Sequence, residues 1–321
     1  MTEVESTPLG NHLADKVRRR RKLEATNSPL PARTRVITVS NQKGGVGKTT
    51  TTVNLAAALS RRGANVLVID LDPQGNASTA LGVEHRPEVT SVYDVLLGDA
   101  TLADALQQAS DNDHLFCVPS TIHLAGAEIE LVSLVPNAPA TDPEYQLVSL
   151  VAREQRLRTA VKTFLEDPAH NFHYVFIDCP PSLGLLTVNA FVAADEVLIP
   201  IQCEYYALEG LSQLLGNIAL IEKHLNPTLR VSTILLTMYD SRTNLAQEVA
   251  EEVRTHFPEE TLAVAIPRSV RISEAPSYGQ TVLAYDPSST GALAYLEAAA
   301  EMAERSNTSP GRGIDEQIEG A

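Results

Sequence analysis

The sequence predicts an α/β fold with a doubly wound, mostly parallel sheet and helices on both faces. Seven short apolar runs, rich in β-branched residues, alternate with stretches of helical periodicity. Such continuous apolar runs are typical of strands buried on both faces of a parallel sheet. Their alternation with helices predicts right-handed β-α-β crossovers. The expected strands are 36–40, 65–72, 115–118, 174–178, 196–201, 231–237 and 262–267, and the expected helices include 49–61, 206–225, 243–256 and 290–305.

Composition divides the chain into three parts. Residues 1–34 form a basic N-terminal arm that contains KVRRRRK at 16–22, and we expect it to be flexible, with at most a short helix around 13–23. Residues 35–305 are expected to be the globular domain, and the acidic tail 306–321 to be disordered. Within the domain, residues 133–150 look like an insertion to which the sequence assigns no function.

Charge and hydropathy limit the possible classes of protein. The chain has 321 residues, 44% of them hydrophobic, and no apolar run approaches the ~20 residues that a membrane span needs. The N-terminus lacks the apolar centre of a signal peptide, so a cytoplasmic protein is expected. A net charge of −15 argues against a general coat on nucleic acid, although basic residues concentrate at 16–22 and 223–271. The three cysteines are far apart, which predicts reduced core residues.

The segment NQKGGVGKTT at 41–50 predicts a phosphate-binding loop. It lies between an expected strand and an expected helix, where backbone N–H groups and a helix N-terminus converge on an anion. Lys48 is expected to reach the β- and γ-phosphates, and the Thr49 hydroxyl to ligate Mg²⁺. The usual first glycine is replaced by Gln42, and a second lysine, Lys43, precedes the paired glycines. The expected nucleotide-binding residues are Lys43, Gly44, Gly45, Val46, Gly47, Lys48, Thr49 and Thr50.

Carboxylates follow two other expected strands. Asp178 ends the run YVFID, at the sheet edge where a Mg²⁺-associated acid is expected. Asp70 and Asp72 end the run NVLVIDLD, and period-two alternation predicts that both point to the same side. Two acids after a phosphate loop and its helix are expected to be catalytic or linked to the metal.

Several motifs in order resemble those of one family. KGGVGKTT, VLVIDLDPQGNAS, YVFIDCPPSLGLLTVNA, PIQCEYYALEGLSQLL and IPRSVRISEAPSYGQ are similar to the motifs of the deviant Walker A ATPases, in particular the ParA/Soj partitioning branch. The resemblance covers about residues 35–304. It implies the deviant Walker A P-loop NTPase fold and an ATPase with slow turnover that uses ATP and Mg²⁺.

The resemblance also implies roles for individual residues. Lys43 would act in catalysis by reaching across a homodimer interface to the ATP of the other subunit. Asp72 would position the attacking water, Asp178 would hold Mg²⁺ through water, and Asp70 would support the loop. The family often has Asn where this chain has Ser269, so Pro267 is the one adenine contact expected here.

The family's partners are implied in the same way. The ATP-bound dimer would bind double-stranded DNA without sequence preference, under the control of a ParB-type centromere-binding protein, and would associate with the nucleoid. The expected DNA-binding residues are Arg242, Arg271, Arg268 and Lys223. The N-terminal arm is a candidate for contact with a polar or scaffold partner.

Three alternatives come from the same superfamily. A MinD-like membrane-surface switch would need a basic amphipathic C-terminal helix, whereas SPGRGIDEQIEGA is acidic and contains proline and glycine. An iron–sulfur carrier would need paired or bridging cysteines, which the three scattered ones do not supply. A ligase of the dethiobiotin synthetase type lacks the SEAPSYG and EYYALEG segments. The partition ATPase is therefore preferred, with the MinD-like switch as the main alternative.

Overall fold

The computed structural model describes residues 8–25, 29–110, 112–133 and 153–305. Its centre is a seven-stranded sheet in the order β3-β4-β2-β5-β1-β6-β7, in which only β3 pairs antiparallel. The strands are β1 Arg35–Val39, β2 Val66–Asp70, β3 Gln107–Gln108, β4 Leu115–Val118, β5 Tyr174–Asp178, β6 Glu196–Gln202 and β7 Arg230–Thr237. The doubly wound, mostly parallel sheet predicted from the sequence is thereby confirmed.

Six of the seven expected strands are present, and the last is not. In place of a strand, the segment 261–267 has two isolated bridges, Thr261 with Ile234 and Pro267 with Tyr239, and the N–H groups of Leu262 and Ile266 donate to carbonyls of β7. Strand β7 is therefore the last strand of the sheet on that side, and the apolar segment beyond it packs as extended backbone without a regular ladder. The expectation of a seventh parallel strand at 262–267 was wrong, and β3 was not anticipated.

Helices cover both faces of the sheet, as predicted. They are α1 Pro8–Ala25, α2 Lys48–Ser60, α3 Asn76–Ala80, α4 Val92–Leu97, α5 Leu124–Ser133, α6 Arg156–Glu166, α7 Leu185–Ala193, α8 Ala207–His224, α9 Asn244–His256, α10 Val270–Glu274, α11 Val282–Tyr285 and α12 Thr290–Arg305. One apolar cluster joins the sheet to α4–α9, and a second joins the other face to α2, α3, α11 and α12. All three cysteines are free and buried in this core, as expected.

The N-terminal arm contains a longer helix than the sequence indicated. Helix α1 spans Pro8–Ala25, and Arg19 on this helix pairs with Glu297 on α12. The arm was expected to be flexible because its sequence has no apolar packing pattern, yet the structure contains this ion pair between the arm and the domain. The insertion beyond Ser133 and the tail 306–321 lie outside the described residues, and the division into arm, domain and tail stays a prediction.

The carboxyl edge of the sheet brings the expected site segments together. Strand β5 lies between β1 and β2, with Asp178 in register with Val39 on one side and with Asp70 on the other. The phosphate loop follows β1, so it lies directly beside these two carboxylates. Ligands of open α/β sheets bind at such an edge, where the strand order reverses. Among the described residues, no helix is long and apolar enough to span a membrane.

Candidate functional site

The phosphate loop is a tight turn that only glycine can make at two positions. Gly45 and Gly47 have φ values of +75° and +90°, in the left-handed region that strains residues with a Cβ. A Cβ on Gly44 or Gly45 would meet no atom within 4 Å, so there is open space beside both glycines. Helix α2 begins at Lys48, with Gly47 as its N-cap. The loop therefore has the shape and the helix N-terminus that an anion-binding site requires.

Neighbouring strands hold this loop in place. The side-chain amide of Asn41 donates to the Pro200 carbonyl at 2.8 Å and accepts from the Lys43 N–H at 3.0 Å. On the other side, the Thr237 hydroxyl donates to the Val46 carbonyl at 2.8 Å. The loop is thus fixed to the ends of both β6 and β7 and is preorganised for its ligand.

Lys48 supplies a buried positive charge inside the loop. Only 7% of the residue is exposed, and its Nζ lies 3.3 Å from the Lys43 carbonyl oxygen. Burial lowers the pKa of Lys48, and the nearby carboxylates Asp178 and Asp72 only partly oppose that shift. A bound phosphate would favour the charged form of the ammonium group and so oppose the effect of burial on its pKa. The residue and its surroundings fit the expected phosphate contact.

Asp178 and two threonines form a buried oxygen cluster beside the loop. The Thr49 hydroxyl donates to Asp178 Oδ2 at 2.7 Å, and the Thr52 hydroxyl to Oδ1 at 2.9 Å. Burial, with the charge of Asp70, raises the pKa of Asp178 to about 8 despite these two hydrogen bonds. Hydroxyl and carboxylate oxygens are the ligands that Mg²⁺ prefers, and the cation usually keeps several waters as well. The structure thus brings together Thr49 and Asp178, the two residues expected at the magnesium site, and the site itself stays a prediction.

The two carboxylates after β2 have different surroundings. Asp70 is fully buried and accepts from the Ser78 N–H at 2.8 Å and the Ser78 hydroxyl at 2.6 Å. Burial raises the pKa of Asp70 to about 6. Asp72 lines the cavity in front of the loop, whereas Asp70 does not. Alternation predicted both acids on one side, but β2 ends at Asp70, so the alternation does not continue to Asp72.

Two adjoining cavities extend from the loop. The first has a volume of about 690 Å³ and is lined by the loop, Asp72 and the segment after β5. The second, of about 290 Å³, has Pro267 on its wall, and the two share Gly47, Thr50 and Met238. Met238 has φ +50° and is the one non-glycine residue in the described ranges with a left-handed backbone. The sequence offered no signal for Met238, because nothing local to LLTMYD requires this conformation.

Lys43 points away from the loop's interior in this chain. Its Nζ lies 2.5 Å from Glu204 Oε2, and both side chains are nearly half exposed. Gln202 donates a further hydrogen bond to the other carboxylate oxygen of Glu204. Glu204 is the first residue of EYYALEG, one of the segments that resemble the ParA/Soj family, and the sequence predicted no role for it. The pairing joins residues 161 positions apart, which the sequence could not reveal.

Three of the four expected DNA-binding residues lie in one region, and the fourth does not. Arg242 pairs with Asp240, and the charge of Arg268 acts on the same carboxylate. Arg271, on α10, contacts Glu274 and Asp286. Lys223 is in the last turn of α8, a helix that begins after the carboxyl end of β6 and ends before the amino end of β7. It therefore lies at the opposite sheet edge from Arg242.

Comparison with known proteins gives consistent relatives. A family model described as an AAA domain matches residues 34–231. The sporulation initiation inhibitor protein Soj of Bacillus subtilis is 50% identical over 269 residues, 84% of this chain and 98% of that protein. The chromosome partitioning protein ParA of Myxococcus xanthus is 47% identical over 271 residues, 84% of this chain and 88% of that protein.

Solved structures share the architecture. Cobyrinic acid a,c-diamide synthase from Mycobacterium smegmatis, with bound ADP and magnesium, has a TM-score of 0.66 and 37% identity, covering 83% of this chain and 93% of that chain. The cell division ATPase MinD of Pyrococcus furiosus has a TM-score of 0.63 and 29% identity, covering 84% of this chain and 98% of that chain. The expectation of a P-loop NTPase-like fold is confirmed.

Proposed function

This chain belongs to the ParA/Soj family of chromosome-partitioning ATPases, and we propose that it hydrolyses ATP to control when two copies of the chain bind DNA together. The observation that carries the proposal is the combination of a preformed phosphate loop, the Thr49–Asp178 pair beside it and a second lysine of the loop, Lys43, whose side chain pairs with Glu204. A simple nucleotide-binding site would not need the second lysine.

ATP and Mg²⁺ are the cofactors that these residues fit. A structure of the Mycobacterium smegmatis relative contains ADP and magnesium, and another contains an ATP analogue and magnesium. In this chain the loop amides and Lys48 would hold the phosphates, while Thr49 would hold the cation directly and Asp178 through water. The bound nucleotide supplies the phosphoanhydride bond that is hydrolysed. Pro267, on the wall of the second cavity, is a candidate for contact with the base.

Asp72 is proposed to orient the attacking water. Its carboxylate lines the first cavity, and the Gln74 N–H donates to Oδ1 at 3.0 Å, which limits the directions in which the side chain can point. Asp70 supports this arrangement by accepting from the Asp72 N–H at 3.3 Å. Asp72 thus lies in the same cavity as the phosphate loop, and Asp70 is proposed to have a supporting role only.

Dimer formation is proposed to complete the site. Two facing nucleotides bring many negative charges together, and a lysine from the opposite subunit offsets them. The same side of the molecule exposes large apolar side chains near Lys43, with Tyr205 77% and Tyr206 67% exposed. Exposed aromatic side chains beside a nucleotide site are typical of an association surface. Lys43 is therefore proposed to act in trans.

DNA is the proposed partner of the dimer. Arg242, Arg268 and Arg271 are all exposed and lie on loops and a short helix outside the phosphate loop. Arginine contacts to phosphates are independent of sequence, and two such surfaces in one dimer raise affinity well beyond either alone. Lys223 would contribute only if the DNA also reaches the opposite sheet edge. A ParB-type protein is proposed as the regulator, with nucleoid association as the result.

The MinD-like alternative has weaker support. The Pyrococcus furiosus MinD structure is 29% identical, whereas the partitioning proteins of Bacillus subtilis and Myxococcus xanthus are 50% and 47% identical. The C-terminal segment that a membrane switch would need lies within 306–321, outside the described residues.

Binding of DNA with ATP, with ADP and without nucleotide tests the proposal. A short duplex of arbitrary sequence should bind with ATP and Mg²⁺ only, and binding should fall steeply as salt rises. Equal affinity in the ATP and ADP states would refute the proposed switch. Binding of phosphatidylserine vesicles rather than DNA would favour the MinD-like alternative.

A further inference from the structure

A basic helix lies against the outer surface of the domain. Helix α1 carries basic residues at six of the seven positions 16–22. It contacts α12, which itself packs on α2 and the sheet. The run KVRRRRK is thus part of a helix at a defined place on the molecule.

Polar contacts hold α1 in this position. Both Nε and Nη2 of Arg19 donate to the Glu297 carboxylate, at 2.8 and 2.5 Å. Arg20 donates to the Pro287 carbonyl at 3.1 Å, and Arg62 to the Leu23 carbonyl at 3.5 Å. A bidentate arginine–carboxylate pair fixes orientation as well as distance. With Arg19 turned inward, Arg18 and Arg21 lie on the exposed side of the helix.

This helix continues the surface on which Arg271 lies. Pro287, which accepts from Arg20, directly follows Asp286, whose carboxylate is 3.6 Å from Arg271 Nε. From the spacing of adjacent residues, the two guanidinium groups are on the order of 10 Å apart. One DNA strand has a phosphate for about every 3.4 Å of helix axis, so a single strand can reach both groups.

The combined surface is positive in a protein that is negative overall. It carries four exposed arginines, Arg18, Arg20, Arg21 and Arg271, and the ion pairs of these arginines include those with Asp15, Glu274 and Asp286. Within 14–23, the part of α1 whose exposure the structure describes, the exposed apolar residues are Ala14 and Val17, and four arginines lie beside them. This surface therefore suits a polyanion better than a membrane.

We propose that α1 is a docked part of the DNA-binding surface and contacts phosphates through Arg18, Arg20 and Arg21. The inference rests on the proposed function, because it names an additional element of the same DNA interaction. It differs from a loose arm that tethers the protein, because the Arg19–Glu297 pair sets the direction in which the arginines point.

The test is the salt dependence of DNA affinity. The full-length variant Arg18→Gln/Arg21→Gln removes two exposed positive charges. It keeps Arg19 and Arg20, the two arginines of α1 that hold the helix against the domain. With ATP and Mg²⁺, fluorescence anisotropy on a 24-base-pair duplex should give a smaller slope of log K against log salt. Each lost phosphate contact lowers the slope by about 0.9, so we expect a decrease of about 2 if one arm of the dimer contacts DNA and about 4 if both do.

A matched control comes from the other face of the sheet. Arg158→Gln/Lys162→Gln on α6 also removes two exposed basic residues. Lys162 pairs with Glu166 on its own helix, as Arg18 pairs with Asp15, so the two double variants are comparable. The slope of log K against log salt for this control variant should equal that of the parent protein. Equal slopes in all three proteins would overturn the inference, and so would an α1 variant that loses binding to phosphatidylserine vesicles but not to DNA. Failure of the parent to bind DNA with ATP would instead overturn the proposed function.

Docking itself is tested with Glu297→Gln. Amide hydrogen exchange within 16–23 should be slowed in the parent and become faster in the variant, because the helix loses its bidentate partner. Full exchange of these amides in the parent at the first time point would show that the helix is not docked and would overturn the docked-surface account.

Discussion

Glu204→Gln is expected to strengthen ATP-dependent dimerisation. In the structure, Glu204 holds Lys43 in the same chain, with 2.5 Å between Nζ and Oε2. If Lys43 acts across the dimer, this ion pair must break each time two subunits associate. Glutamine keeps the size of the side chain but removes the charge that competes with the partner's nucleotide. The variant should therefore hold Lys43 less firmly and dimerise at lower protein concentration.

The size of the effect follows from the exposure of the pair. The two side chains are 41% and 45% exposed, so their attraction is screened by solvent. Exposed ion pairs contribute about 0.2–1 kcal/mol, and each dimer breaks two of them. The variant avoids this cost, which amounts to about 0.4–2 kcal/mol per dimer. The dissociation constant of its dimer should therefore be about 2- to 30-fold smaller than that of the parent. The gain should shrink at high salt, where the parent's pair is already weakened.

Sedimentation velocity over a concentration series, with ATP and Mg²⁺, measures this change. Glu209→Gln is the matched control, because Glu209 is an exposed acid in the first turn of α8. The control should dimerise like the parent. Weaker dimerisation of Glu204→Gln would mean that Glu204 contributes to the interface itself, and the idea of a competing intrachain pair would be abandoned.

Four further predictions concern single residues of the site and its surroundings. Lys43→Ala should still bind ATP, because Lys48 and the loop amides remain, but should stay monomeric in sedimentation with ATP; a stable dimer would contradict the role in trans. Asp72→Ala should bind ATP and accumulate as a long-lived dimer, and single-turnover hydrolysis at the parent's rate would remove the water-positioning role. Arg271→Glu should lose DNA binding in an anisotropy assay while ATP-driven dimerisation survives; loss of both would assign the residue to the interface. Asp70→Asn should change the pH dependence of stability without nucleotide. The pKa of Asp70 is raised to about 6, so its contribution is complete below about pH 4 and is lost as the pH rises through 6. The melting temperature of the variant should therefore rise relative to the parent between pH 4 and pH 8, and a constant difference would contradict the buried ionisation.

Local patterns in the sequence were sufficient for most of the fold. Buried parallel strands need continuous apolar runs, and six such runs are strands in the structure. Residues 262–267 have the same pattern but no continuous ladder, because the N–H groups of Ala263 and Val264 donate to the Glu301 carboxylate and not to β7. The phosphate loop was equally predictable, since glycines with positive φ, a lysine and a helix start all lie within ten residues.

Tertiary structure decided which side chains meet. Asp70 and Asp72 look equivalent in the sequence, yet only Asp72 lines the cavity, because β2 ends between them and Ser78 takes up the buried carboxylate. The contact of Lys43 with Glu204 joins distant segments, and no periodicity carries such information.

The basic residues illustrate the same distinction. Their types and approximate regions are visible in the sequence, but Lys223 and Arg242 lie at opposite edges of the sheet because α8 runs antiparallel to its neighbouring strands. Conversely, Arg20 and Arg271 are 251 positions apart in a chain of 321 residues and still share one surface. Short-range backbone preferences and burial determine the elements along the chain. The distances between charges depend on how those elements pack, which is set by contacts between residues far apart in sequence.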